Sequence, residues 1–249
     1  MRMERVRTRS EVNDGATVLT VHGILESVSY RQLRDVIIEA AIDAPRAVIV
    51  DMTELVVPTE SALAVFTSAR WHIARWPDIP LLLVCCTPDG RNLLRRNGIS
   101  RFLPVYPAVQ QAAAAVAAHE TPERRRARIV LTPDSHGVHL SRQLVSECMQ
   151  DWARPEVIPA AKVVVSALVE NAALHAGGAT AVRLEMRDDV LTVAVEDSST
   201  IAPAILERFP CTEKLSSLKI IDAICRTWGC SPTTTGKVVW CAIGPENTL

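Results

Sequence analysis

The stretch Val163–Ala176 reads VVVSALVENAALHA and spaces Ala167, Asn171 and His175 at i, i+4 and i+8. On a helix of 3.6 residues per turn these three share one stripe. Val164, Val165, Leu168 and Ala172 form an apolar face beside it, suited to packing on a sheet. Asn171 and His175, just inside the helix end, would look into whatever cavity that end adjoins. The stripe therefore reads either as part of a ligand site or as a buried amphipathic helix with two satisfied polar residues. Other chemistry-bearing residues lead nowhere comparable. Cys225 and Cys230 are separated by four residues, and no further cysteine or histidine pair completes a metal site. Arg124, Arg125, Arg126 and Arg128 lack the interleaved aromatics of a nucleic-acid patch.

The elements around the stripe set its context. With 249 residues the chain can form one or two domains. A net charge of −1 gives no field directed at nucleic acid or membrane. No apolar run approaches the ~20 residues that span a bilayer, and no apolar segment of signal-peptide length follows the basic N-terminus. Seven cysteines, an odd number without paired spacing, read as reduced thiols of a cytoplasmic protein.

In the first half, Thr17–His22 predicts a strand and Tyr30–Ile42 a helix with Ser29 as cap. Ala47–Val50 predicts a buried strand closed by Asp51, Glu60–Ile73 a helix, and Ile79–Cys86 a strand. Arg91–Arg96 reads as a short helix, Phe102–Val105 as a last strand, and Pro107 as the start of a helix through Ala118. This alternation indicates an α/β domain.

The segments TVLTVHGILE, AVIVDMTEL and IPLLLVCCTPDGRNLLRRNGISRFLPVYPAVQQA, in that order, resemble a STAS domain, the fold of anti-sigma factor antagonists. That family carries D-S-S-G-L at a strand–turn–helix, and its second serine is a phosphorylated switch. The equivalent run here is Thr59-Glu60-Ser61-Ala62-Leu63. The resemblance thus implies Ser61 as phosphoacceptor, although the preceding Asp and the following Gly are absent. A phosphoserine carries roughly −1.5 to −2 charge and would repel an acidic or apolar partner. Ser61 and Glu60 also suit a helix start for reasons of capping and dipole alone.

His119–Arg128 is polar and contains Pro122, so we expect a STAS-like domain over 1–118, a solvated linker over 119–127 and a second domain over 128–249. In the latter, Arg128–Leu131 predicts a strand, while Gly137–Trp152 and Pro159–Ala176 predict helices. Thr180–Met186 and Val190–Glu196 form a hairpin about a tight Arg187–Asp189 turn. Ser216–Trp228 reads as a helix ended by Gly229, and Lys237–Ile243 as a closing strand. The order implies an α+β sandwich with helices over one face of an antiparallel sheet.

Leu168–Ala176, the hairpin ending at Asp197, Ile220-Ile221-Asp222-Ala223 and GKVVW together resemble the histidine-kinase-like ATPase domain of anti-sigma factor serine kinases. That family's first motif is E-x-x-x-N-A-x-x-H, with Glu as base and Asn as Mg²⁺ ligand. Asn171, Ala172 and His175 match, but Ala167 stands in the base position, and Glu170 lies about 60° round the helix from it. Asp197 matches the adenine-reading Asp, followed by Ser198, Ser199 and Thr200 in place of glycines. The phosphate loop G-x-G-L is here Leu215-Ser216-Ser217-Leu218, without either glycine.

Loss of a general base typically costs ~10²–10⁴ in rate. The resemblance therefore implies a kinase fold without its chemistry, a pseudokinase. Asn171, Asp197, Ser199 and Ser217 form a degenerate nucleotide site, binding ATP or ADP weakly or not at all, with Mg at Asn171 only if nucleotide binds. It implies a cytoplasmic, transcription-regulating protein of a sigma-factor partner-switching pathway. Its partners would be an anti-sigma kinase, an antagonist or a sigma factor, with a homodimer or docking of the domains on each other also open. Neither nucleic acid nor membrane is expected as a direct partner. The alternatives are an active serine/threonine kinase using ATP and Mg, with Glu170 or a partner as base, and a structural adaptor without a phospho-switch.

Overall fold

Every second residue of the strand Val48–Val56 faces a different layer of helices. In a computed structural model, which describes residues 6–119, 123–132, 136–201 and 217–247, the chain divides into two compact units, Met1–Thr121 and Pro122–Leu249.

The first unit runs β1 (Arg7–Asn13), β2 (Ala16–Ile24), α1 (Ser27–Ile42), β3 (Val48–Val56), a 3₁₀ turn (Glu60–Leu63) and α2 (Ala64–Arg75). It continues through β4 (Leu81–Val84), α3 (Pro88–Arg96), a 3₁₀ turn (Ile99–Arg101), β5 (Val105–Tyr106) and α4 (Val109–Ala117). The sheet order is β1-β2-β3-β4-β5, with β1 antiparallel to β2 and the remaining pairs parallel. Val48 and Val50 join Leu33, Ile37, Phe66 and Leu83 in one core. Ile49, Leu82 and Val84 face the other way, onto Ala112 and Val116 of α4. The two-residue side-chain period of a strand thus serves two helical layers from one sheet.

Several boundaries depart from the sequence reading. β1, RTRSEVN, is exposed throughout and has no apolar alternation to betray it; its register against β2 makes it a strand. Asp51 does not close β3. The strand continues to Val56 past an extra residue opposite Thr20–His22, where the Thr53 N–H donates to Asp51 Oδ1 at 3.0 Å. Ser29 is not the cap of α1. Glu26 precedes the helix, and its N–H donates to Ser29 Oγ at 2.9 Å from within the first turn. α3 starts at Pro88, capped by Thr87 Oγ1 accepting from Gly90 N at 3.2 Å. The last strand is Val105–Tyr106, because Ile99–Arg101 winds into a 3₁₀ turn, and α4 starts at Val109 rather than Pro107.

The second unit runs β6 (Arg125–Val130), α5 (Gly137–Asp151), a 3₁₀ turn (Pro155–Val157) and α6 (Ile158–Ala176). Then come β7 (Ala179–Arg187), β8 (Val190–Asp197), α7 (Ser217–Ile224), β9 (Thr227–Pro232) and β10 (Lys237–Ile243). Its five strands are antiparallel in the order β6-β7-β8-β10-β9. Ala161, Val164, Val165 and Leu168 of α6 share a core with Val182 and Leu184 of β7, Val193 and Val195 of β8, and Val239 and Cys241 of β10. This is a helix layer on a sheet.

Here too the outcome differs in places. β6 begins at Arg125, inside the stretch read as linker. Arg124, just before it, and Arg126 are held on Glu185 at 2.9 and 3.1 Å, and Arg128 on Glu196 at 3.5 Å. Helix α7 ends at Ile224, and Gly229 does not stop it but sits inside β9. A Cβ on Gly229 would meet the Trp240 ring at 2.5 Å, so the glycine admits the indole lying over the strand. The span Pro155–Ala176, 22 residues, is long and apolar enough by length and composition to cross a membrane, contrary to the sequence expectation. Its apolar side, from Val157 to Ala172, is buried in the core of this unit.

Candidate functional site

Ser61 is exposed on the 3₁₀ turn between β3 and α2. Leu63, fully buried, anchors that turn in the core. Asn97, the residue that ends α3, donates from Nδ2 to Glu60 Oε2 at 2.8 Å and to the Leu93 carbonyl at 3.0 Å. A hydroxyl beside a tethered carboxylate is thereby offered to solvent on a fixed turn.

In the second unit the stripe on α6 divides. Ala167 and Asn171 are buried, whereas Glu170 and His175 are exposed. Among the described residues the Asn171 carboxamide makes no hydrogen bond. The helix stops at Gly177, which is left-handed with φ 73°. Gly178 N–H then reaches back to the Ala172 carbonyl at 3.2 Å.

Asp197 is the last residue of β8, and its side chain is buried. Its direct cross-strand partner is Lys237 on β10. Lys237 Nζ donates to Asp197 Oδ1 at 2.8 Å and to the Ser199 carbonyl at 3.3 Å. The Ser199 N–H donates to the same Oδ1 at 2.8 Å, and Ser199 Oγ accepts from Ile201 N at 3.2 Å. Ser198 Oγ donates to the Ala176 carbonyl at 3.3 Å, which joins the end of α6 to the end of β8. Gly236 lets the turn before β10 lie against the end of β8, since a Cβ on it would overlap the Asp197 carbonyl oxygen.

Of the residues expected to hold nucleotide, Asp197 and Ser199 are brought together, and Asn171 lies on the helix packed against β8. Ser217 is the first residue of α7, with its side chain outside the described residues, as are Leu215 and Ser216 altogether. Lys237 was missed by the sequence reading, because only strand register sets it opposite Asp197. Among the described residues no group of three or more His, Cys, Asp or Glu could hold a metal ion.

The Cys230 and Cys241 thiols behave as buried apolar groups. Burial pushes Cys230 up to about 11 and Cys241 well above the ordinary thiol range, Cys241 also through a hydrogen bond with Cys225.

Residues 7–112 match the STAS domain family. The first unit is therefore a STAS domain. Among solved structures, an anti-sigma factor antagonist from Mycobacterium paratuberculosis is similar at 23% identity and TM-score 0.40, covering 45% of this chain and 94% of that one. A STAS-domain anti-sigma-factor antagonist from Planctomyces limnophilus is similar at 19% identity and TM-score 0.37, over 44% of this chain and 96% of that one. The Bacillus cell fate determinant SpoIIAA in its phosphorylated form is similar at 18% identity and TM-score 0.34, over 44% of this chain and 99% of that one. No curated protein matches the chain.

Proposed function

We propose that this chain is a cytoplasmic regulator in sigma-factor partner switching, acting by protein–protein binding and carrying its phospho-switch at Ser61. The observation that carries the reading is Ser61 itself, exposed on a core-anchored turn of a STAS domain. A partner serine kinase would move the γ-phosphoryl group of ATP to Ser61 Oγ, with loss of the hydroxyl proton and release of ADP. The added charge, set beside Glu60, would drive the partner surface off.

The second unit is read as a histidine-kinase-like domain without catalysis. Ala167 supports this, as a buried methyl in the position that the resemblance gives to a base. Asp197 supports it as well, because its carboxylate is engaged by Lys237. Glu170 is exposed on another side of the helix and does not stand in for the missing base.

The test is phosphorylation of the full chain by an anti-sigma serine kinase, read by mass spectrometry. Phosphate on Ser61, absent from Ser61→Ala, is the expected result. Serine phosphorylation by the purified chain alone, abolished by Asn171→Ala, would overturn the reading of the second unit.

A further inference from the structure

Two buried charges at the end of β8 form a closed ring with one backbone segment. Lys237 Nζ reaches Asp197 Oδ1 at 2.8 Å and Ser199 O at 3.3 Å, and Ser199 N returns to Oδ1 at 2.8 Å. The exposed fractions of the two side chains are 4% and 2%. An ammonium has three donors and no acceptor, so it takes from Oδ1 what an amino group on a ligand would take. Across the sheet–helix interface, Asn171 is only 6% exposed and has no hydrogen bond among the described residues. Asp197 Oδ1 is thus taken from within the chain, by the Lys237 ammonium and the Ser199 N–H.

We infer that Lys237 is a built-in occupant of this site, holding at Asp197 the donor position that the amino group of a purine base would fill. The inference rests on the kinase-like reading of the second unit and adds the physical reason for its silence toward nucleotide. A charged donor tethered on the adjacent strand outcompetes a neutral amino group, because the charge-assisted bond is stronger and its ordering cost is met on folding. Gly236 lets the backbone beside Lys237 lie against Asp197, and the Ser198 bond to Ala176 joins the end of β8 to the end of α6. Removing the ammonium would leave Asp197 Oδ1 with the Ser199 N–H alone.

The experiment is calorimetric titration of the full chain with adenosine, which probes base recognition without the phosphate loop. The unaltered chain is expected to give no saturable heat, and Lys237→Met to bind at least about tenfold more tightly. Adding Asp197→Asn to that variant should abolish the gain. Should Lys237→Met fail to fold by circular dichroism, Lys237→Ala decides by the same criteria, since it too removes the donor from Asp197. No gain in a folded variant, or a gain that survives Asp197→Asn, overturns the inference. The kinase-like reading fails separately, on phosphoryl transfer by the unaltered chain.

Discussion

Asn97 and Glu60 are joined by a 2.8 Å hydrogen bond that ties the end of α3 to the residue before Ser61. The contact is exposed and charge-assisted, so Asn97→Ala should cost about 0.5–1.5 kcal/mol. Its local effect is the more telling one. Hydrogen exchange at residues 60–63 should accelerate while the core strands β3 and β4 keep their protection.

A negative charge at Ser61 should act on binding and not on folding. Ser61→Asp lies on the surface, so the urea midpoint should move by less than about 0.5 kcal/mol equivalent. Affinity for an anti-sigma kinase partner should fall at least about tenfold, measured by surface plasmon resonance. Ser61→Ala should bind as the unaltered chain does.

Phe66, on the helix that follows Ser61, is fully buried in the first core. Phe66→Ala should cost about 3–5 kcal/mol through lost burial and the cavity left behind. Urea unfolding followed by circular dichroism reads this directly.

The Asp197–Lys237 pair should show strong coupling. Asp197→Ala leaves a buried ammonium without its carboxylate and should cost about 3–5 kcal/mol. The double variant Asp197→Leu/Lys237→Met removes both charges and should be more stable than Asp197→Ala alone. A double-mutant cycle on urea denaturation tests it.

Burial holds the Cys230 thiol neutral up to about 11, against 9.0 ordinarily. The folded state therefore binds that proton more tightly than the unfolded chain does. This contribution is fully present below pH 9 and is lost as pH rises toward 11. Stability should fall across that window, and Cys230→Ala should flatten the decline. In the native protein at pH 8, iodoacetamide should modify exposed Cys86 and spare Cys230 and Cys241, as peptide mapping would show.

Much of the fold was legible in the sequence, because most core elements carry their period in apolar residues. The Val48–Val50 strand, the Ile79–Cys86 run and the 180–196 hairpin could be read that way. So could the helices over 137–152 and 159–176. β1 and β9 could not. The first is charged and exposed, and the second hides behind an apolar helix-like run, so each is a strand only because a neighbour pairs with it.

The candidate site divides along the same line. The sequence by itself determined which groups exist: a serine at a helix start, a methyl at Ala167, and Asn171 and Asp197 as possible ligand contacts. Only the tertiary structure decided that Glu60 is tethered by Asn97 and that His175 is exposed while Asn171 is buried. It alone set Lys237 on Asp197. Residues 40 positions apart meet there because β10 pairs with β8 in one register. Register is a property of the assembled sheet, in which a slip of β10 by one residue would turn Lys237 to the face opposite Asp197.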